Sequence, residues 1–193
     1  VRELCDRHGA LLVFDEIPLA LGRTGRMFCC EHSGVTPDIV VLGKGLGGGV
    51  MPMAAAIARA DLDIAPHRAL GHYTHEKSPL GAAAALATLD VIESENLLER
   101  SRELGAETLE RLREMQQRHD AVIGVRGLGL AMGVELDCAD TAERVLYDCL
   151  ANGLSFKVSA GTVLTLTPPL TITNEQMAQA VDTLDAALGK LTV

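Results

Sequence analysis

Lys44 is the residue whose type and position best suit it to chemistry. It follows the apolar run Ile39–Leu42 and Gly43, and it precedes the glycine-rich segment 45–49. A lysine at the carboxyl end of a buried parallel strand lies where open α/β sheets bind their ligands. Partial desolvation there would lower its pKa, and a neutral amine attacks an aldehyde to form a Schiff base. Lys44 is therefore a candidate for covalent attachment of an aldehyde. From Lys44 alone, however, the alternative of a solvated surface lysine beside a turn is favoured, because most lysines are solvated.

The glycines around Lys44 do not form the phosphate loop of a nucleotide-binding protein. That loop requires one glycine directly before the lysine and another five residues earlier, with Ser or Thr directly after the lysine. Asp38 occupies the position of the first glycine, and Gly45 occupies the position of the hydroxyl residue. The spacing therefore excludes this class of site.

Asp15 ends a second short apolar run, Leu11–Phe14. Because the carboxyl ends of parallel strands meet at one edge of a sheet, we expect its carboxylate at the same edge as Lys44. A carboxylate that faces a pyridine nitrogen keeps the nitrogen protonated, which makes pyridoxal phosphate (PLP) an electron sink. The alternative is an aspartate that caps the following turn, and from Asp15 alone this alternative is favoured.

The apolar pattern of the first half predicts an α/β core that would position these two residues. Short continuous apolar runs are typical of strands buried on both faces of a parallel sheet. Three such runs occur, and a short helix that ends at Gly9 precedes them. The predicted strands are Leu11–Phe14, Ile39–Leu42 and Met53–Ala58.

The second half predicts a different, α+β arrangement. Helices are expected over 80–95, 97–119 and 141–151, and a last helix is expected to begin at the capping box Thr173–Gln176. Spacings of three and four predict one buried face on two of these helices. The predicted face of the helix over 97–119 consists of Leu97, Ser101, Leu104, Thr108, Leu112 and Met115, and that of the last helix of Met177, Val181, Leu184 and Leu188. Strand segments are expected within 122–136, and over 154–158 and 163–166. We therefore place a domain boundary near residue 90, with residues 1–90 in one domain and 91–193 in a smaller C-terminal one.

Composition excludes several classes of function. The net charge of −9 disfavours nucleic acids and anionic membranes as partners. No apolar run is long enough to span a bilayer, and the N-terminus lacks the pattern of a signal peptide. The five cysteines include no C-x-x-C pair, and the histidines lack ligand spacing, so neither disulfides nor a metal site are expected. Reduced thiols favour a cytoplasmic protein.

A series of ordered motifs identifies a family. The first half contains Asp15-Glu16, Gly22-Arg23-Thr24-Gly25, Phe28, Glu31-His32, Gly34-Val35, Pro37-Asp38-Ile39 and Leu42-Gly43-Lys44. The second half continues with Thr74 five residues before Pro79, Arg126-Gly127-x-Gly129-Leu130, Gly133-Val134-Glu135 and Pro168-Pro169-Leu170. Together these motifs resemble the class III PLP-dependent aminotransferases over essentially the whole chain.

The resemblance implies a fold, an activity and a set of roles. The fold is the PLP-dependent transferase fold type I (aspartate-aminotransferase-like), of which residues 1–90 would be the C-terminal part of the PLP-binding large domain. The activity is transfer of an amino group from a small-molecule donor to a keto acid. Lys44 would bind the cofactor aldehyde and move the substrate proton, and Asp15 would pair with the pyridine nitrogen. Thr74 would bind the cofactor phosphate across the interface of a homodimer.

Three positions depart from the family pattern. The family carries Gln where this chain has Pro18, which offers neither a side-chain donor nor a backbone N–H. Members specific for α-amino acids carry Arg where this chain has Thr165, and a hydroxyl cannot replace a bidentate clamp on a carboxylate. The loop before Pro79 includes His75 and Lys77, which would bind an anion or would simply be solvated.

These departures leave two alternatives to transamination. The chain is similar to a side branch of the family that includes lyases acting on amino-alcohol phosphonates or phosphates. A non-catalytic fragment is the other alternative, because the upstream cofactor-phosphate loop and the aromatic residue that stacks on the ring are expected before Val1. The intact positions Lys44, Asp15 and Thr74 favour a truncated piece of an active enzyme.

Overall fold

The structure is a computed structural model that describes residues 1–65, 67–68 and 77–192. Its chain divides into two compact units. The first contains Val1–Gly22 and Arg26–Asn96, and the second contains Arg23–Gly25 and the chain from Leu97 onward. The domain boundary near residue 90 stays a prediction. In the structure, residue 90 lies within the helix Pro79–Ser94, which is the last helix of the first unit. None of the described helices is both long and apolar enough to cross a bilayer.

The first unit contains a three-stranded sheet in the order β1-β2-β3. β1 and β2 are parallel, with Asp15 in register with Val41, whereas β2 and β3 are antiparallel. Its elements in chain order are α1 (Arg2–His8), β1 (Val13–Asp15), β2 (Ile39–Leu42), β3 (Ala55–Ala58) and α2 (Pro79–Ser94).

Two details of this sheet differ from the sequence-based expectation. β1 is not buried on both faces, since Val13 is 50% exposed. The reason is that β1 is an edge strand with a single neighbour in the described chain. β3 begins at Ala55 rather than Met53, because Leu42 pairs with Ala55 and β2 ends there, which leaves Met53 without a partner.

The second unit contains a four-stranded antiparallel sheet in the order β4-β5-β7-β6. One face of this sheet packs on the helices, and Val134 and Leu164 are fully buried there. Its elements are α3 (Leu97–Arg118), β4 (Val122–Leu128), β5 (Ala131–Leu136), α4 (Ala139–Ala151), β6 (Lys157–Ser159), β7 (Val163–Leu166) and α5 (Asn174–Gly189).

The helices of the second unit confirm the pattern in the sequence. The predicted stripe of α3, which includes Ser101 and Met115, is buried along its whole length. The capping box that begins α5 is present: the Gln176 backbone N–H donates to Thr173 Oγ1 at 3.1 Å, and the Thr173 N–H donates to Gln176 Oε1 at 3.0 Å. α5 then buries the predicted apolar positions Met177, Val181, Leu184 and Leu188.

The segment Arg23–Gly25 is joined to the second unit by backbone contacts. The Leu130 N–H donates to the Arg23 carbonyl at 2.9 Å, and the Arg23 guanidinium donates to the carbonyls of Leu130 and Pro168. Gly129 has a φ of +54°, and a Cβ atom there would lie 2.6 Å from the Thr24 carbonyl carbon. The glycines of the Arg126–Leu130 motif therefore allow a close approach of two backbones.

Candidate functional site

Asp15 and Lys44 lie at the carboxyl ends of neighbouring parallel strands. Asp15 is the last residue of β1 and is in register with Val41 of β2, while Lys44 follows β2 directly after Gly43. Neighbouring strands lie about 4.8 Å apart, so the two backbones end side by side. Both side chains are exposed in the described chain. The structure thus places Asp15 and Lys44 at one edge of the sheet, as the sequence predicts.

The backbone turns sharply at Lys44. Its φ of 44° is in the left-handed region, which costs a residue with a Cβ atom about 1–2 kcal/mol. Lys44 opens a 3-10 turn, Lys44–Gly47, in which the Leu46 N–H donates to the Gly43 carbonyl at 3.1 Å. Strain of this kind persists where the surrounding structure enforces it, and such positions cluster at functional sites. The turn therefore presents the lysine at a fixed point of the sheet edge.

Packing beneath the turn fixes its position. Leu46 and Gly47 are buried, so the turn is anchored in the unit and is not a free loop. A Cβ atom at Gly48 would lie 3.0 Å from Thr88 Oγ1 of α2, and Gly48 has a φ of +68°. Gly48 thus allows this turn to lie directly against α2. It also adopts a positive φ that a residue with a side chain would rarely take.

Asp15 makes one hydrogen bond within the turn that follows β1. Its Oδ1 accepts the Ile17 backbone N–H at 3.0 Å, which is the turn-capping geometry considered above as the alternative. Oδ2 has no protein partner in the part of the chain that the structure describes. One carboxylate oxygen therefore orients the side chain, and the other remains available to a ligand.

Ile17 is a residue of this edge that the sequence analysis did not identify. Its Cγ1 and Cγ2 atoms would each lie 3.4 Å from a Cβ atom at Gly43, so its side chain lies beside the residue that precedes Lys44. Ile17 is partly buried, and it supplies an apolar side chain next to Gly43, the residue before Lys44. The sequence feature that could have identified Ile17 is its place as an apolar residue directly after Asp15-Glu16.

Glu16, which follows Asp15, has a structural role. It is only 4% exposed, and its two carboxylate oxygens accept the backbone N–H groups of Cys29 and Cys30, each at 2.7 Å. Burial raises the pKa of the Cys30 thiol, and the Glu16 carboxylate raises it further. Both cysteines are half-buried, because they begin a short turn near an open cavity of about 450 Å³ that Asp15 also lines.

The remaining residues singled out from the sequence lie elsewhere. Thr74 and His75 lie outside the described residues. Pro18 is exposed in the turn after β1, and Lys77 is exposed before α2. Thr165 is on β7 of the second unit, where its hydroxyl donates to Ser159 Oγ at 2.9 Å. The structure therefore brings together Asp15 and Lys44, with Ile17 beside them.

The donor types at this edge fit PLP. An exposed primary amine suits an aldehyde, and a carboxylate with one uncommitted oxygen suits a protonated pyridine nitrogen. The apolar Ile17 side chain suits the face of an aromatic ring. Pro18 cannot supply the side-chain contact to the ring hydroxyl that glutamine makes in the family.

Comparisons with known proteins agree with this chemistry. The family model described as aminotransferase class-III matches residues 1–188. The chain is 45% identical to (R)-1-hydroxy-2-aminoethylphosphonate ammonia-lyase of Vibrio splendidus, over 99% of this chain and 42% of the relative. It is 42% identical to acetylornithine aminotransferase of Methanosarcina mazei, over 97% of this chain and 46% of the relative. The chain thus spans less than half the length of these curated relatives.

Solved structures show the same fold. The ornithine aminotransferase of Toxoplasma gondii, crystallised with partial occupancy of PLP at its active site, matches with a TM-score of 0.92 and 34% identity. That match covers 99% of this chain and 45% of the neighbour. The fold is therefore part of the PLP-dependent transferase fold type I, and PLP is the cofactor that the family and this neighbour imply. The chain belongs to the class III aminotransferase family.

Proposed function

We propose that the protein containing this chain is a PLP-dependent aminotransferase that transfers an amino group from an amine or amino compound to a keto acid. The observation that carries the proposal is the placement of Lys44 and Asp15 at the ends of adjacent parallel strands. The match to the class III family over residues 1–188 supports it. When bound, PLP supplies an electron sink for the charge that develops on the substrate carbon.

Each residue at the sheet edge has a definite role in this proposal. The Lys44 amine would hold the cofactor aldehyde; once the substrate amine has displaced it, the free amine would take a proton from the carbon that bears the amino group and return it to the product. The free Oδ2 of Asp15 accepts the pyridine N–H, while the bond from Ile17 N–H to Oδ1 holds the carboxylate in place. Thr74 binds the cofactor phosphate through its hydroxyl, as the family resemblance implies.

Lyase chemistry on an amino-alcohol phosphonate or phosphate is the second candidate function. Two departures at site positions favour it, namely Pro18 and Thr165, which remove groups used by typical aminotransferases of the family. The phosphonate ammonia-lyase of Vibrio splendidus is 45% identical to this chain, and this similarity also supports the candidate. The same residues would serve both reactions, because both begin with removal of a proton from the carbon that bears the amino group.

A single assay separates the two functions. The full-length protein is incubated with PLP and an amino compound, with and without an α-keto acid, and both keto-acid amination and ammonia release are measured. An aminotransferase aminates the keto acid and is inactive without it, whereas a lyase releases ammonia whether or not a keto acid is present. The Lys44→Ala variant is the control and loses either activity. If neither keto-acid amination nor ammonia release occurs with any of a panel of amines and phosphonates, both candidate functions are contradicted.

We further propose that the enzyme is a cytoplasmic homodimer with small molecules as partners. None of the five cysteines is joined in a disulfide in the described structure, which is typical of a reducing compartment. The net charge of −9 disfavours nucleic acid as a partner. The dimer rests on the resemblance, in which Thr74 reaches the partner's cofactor. Light scattering on the full-length protein tests it, and a monomeric mass would contradict it.

A further inference from the structure

The segment of residues 16–21 runs alongside the Lys44 turn, and we call it the arch. Its first backbone N–H, that of Glu16, donates to the Val41 carbonyl of β2 at 3.0 Å. The Glu16 carbonyl in turn accepts two N–H groups from within the arch, at 3.0 and 2.9 Å. The arch is therefore folded on itself and is attached to β2 three residues before Lys44.

Two apolar side chains of the arch contact the residues that flank Lys44. Ile17 lies beside Gly43, and Leu21 lies beside Gly45, since a Cβ atom at Gly45 would lie 3.6 Å from Leu21 Cδ1. That distance is an ordinary van der Waals separation, so the two groups touch without overlap. The residues directly before and after Lys44 thus each contact one side chain of the arch.

Leu21 holds this position with an unfavourable backbone conformation. Its φ of 60° is in the left-handed region, which is rare for a residue as bulky as leucine. Five non-glycine residues of the described chain have a positive φ, and Leu21 is the only buried one among them. Its N–H donates to the Met27 carbonyl at 2.7 Å, and the N–H of Gly22 donates to the Arg26 carbonyl at 3.2 Å. These two hydrogen bonds enforce the strained conformation.

Leu21 and Lys44 are both strained, and one contact links them. Lys44 has a φ of 44°, and the next residue, Gly45, touches the Leu21 side chain. Glycine at position 21 would adopt the same backbone without cost, but it would remove the side chain that contacts Gly45. Strained residues persist where the surrounding structure enforces them, and they cluster at functional sites. The strain at Leu21 therefore points to a use of its side chain at the Lys44 turn.

We propose that Leu21 is a positioning residue for Lys44. Its side chain, together with that of Ile17, holds the Lys44 turn so that the amine stays at the sheet edge where PLP would bind. This inference rests on the proposed function and deepens it, because it names a residue outside the cofactor-binding set that governs how fast PLP is attached. Leu21 acts through Gly45 and the turn, and it touches neither cofactor nor substrate in this proposal.

The rate of PLP attachment to Lys44 tests the positioning role. The full-length protein, freed of bound PLP, is mixed with PLP and reduced with borohydride at timed intervals, and the labelled Lys44 peptide is quantified by mass spectrometry. We expect Leu21→Ala to slow labelling about tenfold or more, since a displacement of about 1 Å can cost a reacting pair about a hundredfold in rate. Leu21→Met should stay within about threefold of the wild type, because it keeps an apolar side chain of similar volume.

Leu12→Ala is the matched control for the loss of a buried leucine. Leu12 is 8% exposed, close to the 7% of Leu21, and it precedes β1 at the end of the strand opposite to Asp15. Leu12→Ala should therefore label at the wild-type rate. Leu21→Gly removes both the side chain and the cost of the left-handed backbone, which keeps the measurement available if Leu21→Ala does not fold. Leu21→Gly should label about as slowly as Leu21→Ala.

Hydrogen–deuterium exchange provides a readout that needs no PLP. The Leu46 N–H donates to the Gly43 carbonyl at 3.1 Å, so its exchange rate reports how well the turn is ordered. In the cofactor-free protein, Leu21→Ala should exchange this amide about tenfold faster than Leu12→Ala does. Circular dichroism in the same buffer checks that both variants are folded.

Each outcome of these measurements has one meaning. Slow labelling and fast exchange of the Leu46 amide in the Leu21 truncations, with Leu12→Ala and Leu21→Met near the wild type, support the positioning role. Equal labelling rates in Leu21→Ala and Leu12→Ala, or equal exchange of the Leu46 amide in the two, overturn it and leave the proposed function intact. A wild-type protein that takes no PLP on Lys44 contradicts the proposed function, and the positioning role is overturned with it.

Discussion

Asp15 and Lys44 follow two neighbouring parallel strands, and Asp15 is in register with Val41, three residues before the lysine. The relationship is set by the sheet itself, because the register of β1 and β2 fixes where each strand ends. Asp15 is further fixed by the Ile17 N–H, and Lys44 by its 3-10 turn. An amine and a carboxylate are thereby held at one sheet edge by backbone structure.

Substitution of Asp15 separates its charge from its role in the turn. Asp15→Asn keeps an oxygen that can accept the Ile17 N–H but loses the charge that pairs with a pyridinium. We expect activity of the full-length enzyme to fall about a hundredfold, the typical cost of removing one electrostatic group from an active site. The free energy of unfolding should change by less than about 0.5 kcal/mol, as for most exposed positions. Steady-state kinetics and urea denaturation measure the two effects.

Asp15→Ala is the matched comparison for Asp15→Asn. Alanine removes the acceptor as well, so the free energy of unfolding should fall by about a further 1 kcal/mol. Activity should be no higher than in Asp15→Asn. Full activity in either variant would contradict the role of Asp15 as the partner of the cofactor nitrogen.

Gly105 in the middle of α3 should not tolerate alanine. Alanine ordinarily stabilises an exposed helix by about 1 kcal/mol relative to glycine. At Gly105, however, an added Cβ atom would overlap the backbone of Gly129, whose φ is +54°. We expect Gly105→Ala to lower the free energy of unfolding by about 2 kcal/mol or more. Ala106→Gly at the exposed neighbouring position is the control for the ordinary difference between alanine and glycine in a helix. A Gly105→Ala variant that is more stable than the wild type would show that the contact between Gly105 and the Gly129 backbone is absent.

Asp38 should make the free energy of unfolding of the first unit depend on pH in the acid range. Its side chain is 3% exposed, and the Leu12 N–H, followed by the Arg2 guanidinium, holds its pKa below the ordinary value. A carboxylate whose pKa is depressed by folding stabilises the fold above its unfolded pKa of about 3.9, and that contribution is lost as the pH falls through the folded pKa. Stability should therefore decline from about pH 4 downward.

Asp38→Asn tests this acid dependence. Urea midpoints measured from about pH 7 to about pH 2.5 should fall less steeply in the variant, because it has no carboxylate to protonate at this position. Asp182→Asn is the control, since Asp182 pairs with Arg111 at the surface, is 73% exposed and shares no partner with Asp38. A variant with the same acid profile as the wild type would show that Asp38 does not control it.

The sequence predicted the elements that carry a strong local signal. The stripe of α3, the capping box at Thr173 and the boundaries of β2 are confirmed, because periodicity, capping and β-propensity act over a few residues. The exposure of β1 was not predicted. Burial of a strand depends on which strands lie beside it, and the run Leu11–Phe14 carries no information about its neighbours.

The candidate site was predictable only in part. Asp15 and Lys44 were identified because both end apolar runs, and parallel pairing then places strand ends together. Ile17 was missed because an apolar residue in a turn has no distinctive pattern, and its role depends on the position of Gly43 in space.

The covalent attachment of PLP to Lys44 is the most direct test of the account. The full-length protein is incubated with PLP and reduced with borohydride, and the modified peptide is mapped by mass spectrometry. We expect a phosphopyridoxyl group on Lys44 that is absent in Lys44→Ala and persists on Lys44 in Asp15→Asn. A full-length protein that carries no label on Lys44, or carries it on another lysine, would contradict the account.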